Sequence, residues 1–185
     1  RCHAALGHHD KAREHFVKAR DLDTLRFRAD SRINETARRL AHEWTDDKVA
    51  LVDVDALFGR DAAGGVPGAE LFHDHVHLTF RANYLLAMEC AEAVMRWFKP
   101  RDSVPSRPPP GQWLSMDECA DRLALTDWER LMMAEDVGRR RQRPPFTGQM
   151  DYATQQKSWE QRLVDLRARA AAADAKAVTD QFTRA

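Results

Sequence analysis

The sequence predicts an α/β segment, made of one strand, a histidine-bearing loop and a helix, with a helical hairpin before it and an all-α region after it. Three observations predict this. Residues 49–54 (VALVDV) form a short apolar run that leads into a glycine-rich loop, the pattern of a buried strand bounded by turn signals. Tyr84, Met88, Ala91, Met95 and Phe98 then recur at steps of four and three, which lays one apolar stripe along a helix. Beyond a proline-crowded stretch, capping signals and a long four-three seam read as helices alone.

From the front, residues 8–21 read as a helix, preceded only by the stump of another, residues 1–6. Leu6, Gly7, Ala12, Phe16 and Ala19, followed by Asp21-Leu22-Asp23, set small residues where two helices approach, with Phe16 filling the groove between them. This pattern resembles the second half of a tetratricopeptide repeat. A half repeat cannot bury its apolar face without stacked neighbours, so the resemblance implies the C-terminal part of a longer protein. A second helix is expected over 31–44, with Ile33, Ala37, Leu40 and Trp44 on one face and Asp30 or Ser31 as its cap. The strand over 49–54 follows, then the loop carrying Gly64, Gly65, Pro67 and Gly68, then the helix of the Tyr84 stripe. Proline density over 99–112 sustains neither helix nor sheet and marks a linker. Ser115 with Glu118, and Thr126 with Glu129, are capping boxes that start two helices. A break at Arg143-Pro144-Pro145 precedes a final helix from about 151, whose Trp159, Leu163, Leu166, Ala170, Ala173 and Ala177 form a seam that needs a partner. The expected divisions are therefore 1–23 for the repeat end, 24–99 for the α/β part, 100–114 for the linker and 115–185 for the helical region.

Composition narrows the classes. With 185 residues, 43% of them hydrophobic, the chain can hold one domain or two small ones. Basic and acidic residues balance at 29 each, so no global field argues for nucleic acid or for a metal buffer. Cys2, Cys90 and Cys119 are odd in number and far apart, which indicates neither a disulfide framework nor a zinc ribbon. No apolar run reaches the length of a membrane span and no signal peptide is visible, while Arg1 opens the chain in mid-pattern, where an upstream targeting segment would be missing.

The chemistry concentrates in residues 70–87, ELFHDHVHLTFRANYLLA, where Asp74 stands three residues before His77 in a loop that launches a helix. A catalytic imidazole presents one ring nitrogen to a nucleophile while a carboxylate holds the other, setting its tautomer and stabilising the imidazolium. Across a tight loop an Asp three positions earlier reaches that second nitrogen. The bland alternative is a solvated pair that caps the following helix.

The block VALVDVDALFG followed by PGAELFHDHVHLTFRANYLLA resembles the last strand, the Asp-x-x-His block and the final helix of SGNH (GDSL-type) serine hydrolases. It is most similar to the large bacterial proteins that join such a domain to tetratricopeptide repeats, and the C-terminal third resembles their helical tails. The resemblance implies a flavodoxin-like domain in which His77 is the general base and Asp74 its orienting carboxylate, with no cofactor and no metal. An upstream serine would attack an acyl-ester or acylated-carbohydrate substrate, and His77 would take its proton and return it to the leaving alcohol. Related proteins often carry an N-terminal membrane anchor, and the compartment of this chain is left open. The family's nucleophile block and oxyanion-hole blocks have no counterpart here. Ser31, Ser103, Ser106, Ser115 and Ser158 sit in cap, linker or helix contexts, so the chain holds half of a site. A reading from another class makes the chain a catalytically silent scaffold that binds a protein partner through the repeats and the final helix.

Other clusters have weaker claims. His73, His75 and His77 alternate and in an extended strand would share a face, where with Asp74 or Glu70 they could hold zinc; exposed loop residues are the alternative. His8 and His9 sit at the repeat turn, facing solvent. Arg28 or Arg32, in RFRADSRINE, could bind a substrate anion near a helix N-terminus, or simply form a salt-bridged helix start. The arginines of GRRRQR, residues 138–143, could bind phosphate or anionic lipid, but they also complement a helix C-terminus.

Overall fold

Residues 1–25, 27–44, 49–97 and 113–183 are described by a computed structural model, with side chains to residue 173 in the last helix and to residue 96 before the linker. Two compact units form, Arg1–Trp113 and Leu114–Ala185. The expected linker, 99–112, and Phe98 of the helical stripe lie outside the described residues.

The first unit is helical. The short helix α1 (Cys2–Ala5) meets α2 (His9–Asp21) through Gly7, whose φ of 72° lies in the region that glycine tolerates best. Ala12 is the buried residue of α2. Helix α3 (Ser31–Glu43) starts where expected because the buried Asp30 accepts from the Ile33 amide at 2.9 Å. Its apolar face does not bury: Ile33, Leu40 and Trp44 are all largely exposed.

The strand expected over 49–54 does not form, and no strand or sheet exists among the described residues. The flavodoxin-like α/β expectation is therefore wrong. Val54 begins a helix, α4 (Val54–Asp61), capped by Asp53, whose carboxylate accepts from the Ala56 amide at 3.0 Å. A short apolar run has no periodicity of its own, and the Asp two positions before Asp55 supplied a cap that turned its end into a helix. Residues 49–53 meet no neighbouring strand that could take up their backbone groups.

Charge ties these helices together. Arg38 of α3 grips Asp53 with two donors, at 2.7 and 3.1 Å, and reaches Asp55 at 2.8 Å. Arg20 of α2 donates to Asp55 at 3.1 Å and to the Ser31 hydroxyl at 2.8 Å. Hydrogen bonding to the two carboxylates raises the Arg38 guanidinium above its ordinary value, and the same bond holds Asp53 below its own.

After α4 the chain makes a tight turn at residues 63–65. Gly64 is required there: φ is 65°, and a Cβ would lie 2.6 Å from His9 Nδ1. Helix α5 (Phe80–Trp97) follows the histidine loop. Its expected stripe, Tyr84, Met88, Ala91 and Met95, is only half-buried, whereas Ala82 and Ala93 are buried and Leu85 packs on the core. That core comprises Leu57 and Phe58 of α4, Ala62, Leu71 and Ala82, flanked by Val54, Phe72, Leu78 and Leu85. The start of α5 and the neck of the loop therefore share one apolar cluster with α4.

In the second unit both capping boxes form as expected. Ser115 and Glu118 open α6 (Met116–Arg122) by exchanging bonds of 3.2 and 2.7 Å. Thr126 and Glu129 open α7 (Asp127–Arg141) in the same way, at 3.3 and 2.6 Å. Helix α8 (Tyr152–Thr183) returns antiparallel to α7, as Gln155 beside Arg141 and Arg167 beside Glu135 show. The seam residues Trp159, Leu163, Leu166 and Ala170 pack on Leu131, Ala134 and Val137. Gly138 lets the indole in, since a Cβ there would lie 2.9 Å from Trp159 Nε1. Ala173 is exposed, although it continues the four-three pattern, and the side chain of Ala177 lies outside the described residues. The 15 residues of α7 span about 22 Å and the 32 of α8 about 48 Å, so α7 is too short to cover the whole seam.

Candidate functional site

The loop between α4 and α5 is closed at its neck by backbone and core. Phe72 and Leu78 form an isolated antiparallel bridge, with His73 N donating to His77 O at 2.8 Å and Thr79 N to Leu71 O at 2.9 Å. Leu71 is wholly buried beneath it, and Phe72 meets Phe58 edge to face at 5.7 Å. Thr79, itself buried, donates its hydroxyl to Glu70 O at 2.9 Å, and the same oxygen accepts from the Ala82 amide at 3.2 Å. Thr79, not Asp74, therefore caps α5.

Within this frame Asp74 Oδ1 accepts from the Val76 amide at 2.9 Å and from the His77 amide at 2.8 Å, an Asx turn of the type that Asp favours. Asp74 Oδ2 lies 2.7 Å from His77 Nδ1. The carboxylate is 5% exposed and the imidazole 54%, so the ring projects outward from a sheltered anchor. Partial burial pushes the Asp74 carboxyl up, but the His77 and Val76 amides and the His77 ring together outweigh burial and hold it below the ordinary 3.8. An ionised Asp74 stabilises the tautomer with its proton on Nδ1, which leaves the Nε2 lone pair directed away from the carboxylate.

A second support comes from far along the chain. Arg28, in the connection between α2 and α3, donates Nε to His75 O at 2.5 Å, and its guanidinium stacks on the Phe72 ring at 4.1 Å. Phe27 lies beside the His75 ring at 4.8 Å. Arg28 thus holds the crest of the loop, a role different from the anion binding considered from sequence. A cluster of Arg28, Asp30 and Arg32 before a helix signalled some electrostatic task, but its partner could not be read from spacing.

The remaining candidates separate. His77 meets Asp74, but no group of three or more potential metal ligands forms among the described residues, so His73, His75 and His77 do not gather with Asp74 or Glu70 as a zinc site. Arg139 and Arg140 pair with Asp136, and Arg141 stacks on Trp159 at 4.8 Å, so that run serves the end of α7. Ser31 binds Arg20 and Ser115 caps α6, and neither stands at a strand-to-helix elbow. No helix among the described residues is long and apolar enough to cross a membrane. Comparison with protein-family models, with curated proteins and with solved structures finds no match.

Proposed function

We propose that Asp74 and His77 form the carboxylate-imidazole half of a serine-type site for acyl-ester hydrolysis or acyl transfer, with the nucleophile outside this chain. One observation carries the reading: Asp74 Oδ2 lies 2.7 Å from His77 Nδ1 while its other oxygen is held by two backbone amides. The carboxylate cannot turn away without losing both amides, so the ring is set in one tautomer and one direction. Nε2 then takes the proton of an attacking hydroxyl and returns it to the leaving alcohol, with Asp74 stabilising the imidazolium between the two steps. The substrate class that fits is an acyl ester, including acylated carbohydrate. The resemblance of residues 67–87 to the Asp-x-x-His block of SGNH hydrolases supports the same chemistry.

The test is to recover the protein from its native cells through a tag on this chain and to treat it with a fluorophosphonate, which labels activated serines. Labelling that His77→Ala abolishes supports the reading. Absence of labelling, or labelling indifferent to His77→Ala, overturns it.

A second reading, a catalytically silent scaffold for a protein partner, draws on the exposed Ile33 and Leu40 of α3 and Trp44 at its C-terminal end. Leu40→Asp separates the two readings: it impairs partner capture in the scaffold reading and leaves fluorophosphonate labelling intact in the first.

A further inference from the structure

Within the first unit, three imidazoles from the first two helices and the turn between them gather. His3 of α1 and His8, the residue before α2, bring their Nδ1 atoms to 3.3 Å from each other, with ring centroids 5.6 Å apart and planes tilted by 41°. His15, two turns into α2, stacks flat on His3 at 5.4 Å with 9° between the planes.

We propose that His3 and His8 form a two-coordinate protein site for a borderline divalent transition-metal ion, represented by zinc. The argument is one of bite. Two imidazole nitrogens at about 2.0 to 2.1 Å from a tetrahedral zinc ion stand about 3.3 to 3.4 Å apart. The Nδ1 atoms already have that separation, whereas a well-formed hydrogen bond between two ring nitrogens would be shorter, about 2.9 to 3.0 Å. Gly7, at φ 72°, makes the sharp turn that folds His8 back toward His3 five residues away. The stacked His15 supplies a wall, since a ring parallel to His3 cannot direct its nitrogens to the same point. As no third ligand converges among the described residues, two positions are left to water or a small anion, which makes the site open and exchangeable.

Desolvation first, and then the charges of His15 and Lys11, hold His3 below the ordinary imidazole value of 6.5, which favours its neutral ring. The contact is compatible with one Nδ1 proton shared between the rings. On binding, that proton moves to Nε2 of the same ring, so each ring offers a lone pair and no proton need be released.

The test is a calorimetric titration of the chain with zinc chloride alone. Expected is one zinc ion per chain, bound about tenfold or more weakly by His3→Ala and by His8→Ala and equally well by His42→Ala, which removes a histidine on α3. A variant-free measurement runs beside it: zinc added to the unaltered chain shifts the imidazole resonances of His3 and His8 first. Absence of binding, affinity indifferent to either substitution, or first shifts at His73, His75 or His77 overturns the proposal.

Discussion

Replacing Asp74 by Ala removes two kinds of support at once, and Asp74→Asn separates them. Asp74 accepts from the Val76 and His77 amides at 2.9 and 2.8 Å, and both residues are exposed, so water can replace the lost acceptor. Each bond then contributes less than the roughly 1.5 to 3 kcal/mol typical of a charged acceptor, about 1 kcal/mol, or about 2 kcal/mol together. Opening of the loop tip in Asp74→Ala should therefore rise about thirtyfold. The asparagine keeps an oxygen for the two amides and should cost less than half of that. It places an N–H donor opposite His77 Nδ1, however, which drives the ring proton to Nε2. Amide hydrogen exchange at Val76 and His77 reads the first effect, and nitrogen-15 chemical shifts of the His77 ring read the second. The neck, anchored by wholly buried Leu71, should keep its protection in both variants. Unchanged exchange in Asp74→Ala, or a His77 ring that keeps its Nδ1 proton in Asp74→Asn, would refute the assignment of these roles.

Four further outcomes are expected. Arg28→Ala loses a charge-assisted bond to His75 O and the stack on Phe72, and loop-tip exchange should rise about tenfold, with Arg28→Lys recovering little; equal exchange in all three proteins would show the clamp to be idle. Because the Asp74 carboxyl is held below 3.8, its contribution to loop order is complete above that pH and is lost as pH falls through the depressed value; loss of Val76 protection already above 3.8 would contradict this. Gly138→Ala gains helix propensity of about 1 kcal/mol but drives a Cβ to 2.9 Å from Trp159 Nε1, so thermal unfolding of Leu114–Ala185 should come at lower temperature, and a raised midpoint would show that the indole can shift. The isolated chain should hydrolyse p-nitrophenyl acetate at the background rate, and turnover abolished by His77→Ala would reveal a nucleophile within it.

What could be read from the sequence was local. Ser115 with Glu118, Thr126 with Glu129, and Asp30 ahead of Ile33 form their bonds within a single turn, so spacing alone determines them. Asp74 and His77 meet for the same reason, three residues apart in a loop too short to separate them. The Trp159 to Ala170 seam was legible as a stripe, but only the length of α7 decided where its burial stops. Residues 49–54 went the other way, because a strand exists only by virtue of a neighbour, whereas the Asp53 cap needs nothing beyond the next turn. The buried face of α5 was set by α4 and the loop neck, which meet Ala82 and Leu85 and not the Tyr84 line. Arg28 acts on a carbonyl 47 positions away, and no periodicity joins the two. Contacts closed within a turn are written into residue spacing, while contacts between distant segments depend on packing that settles only when the whole unit folds.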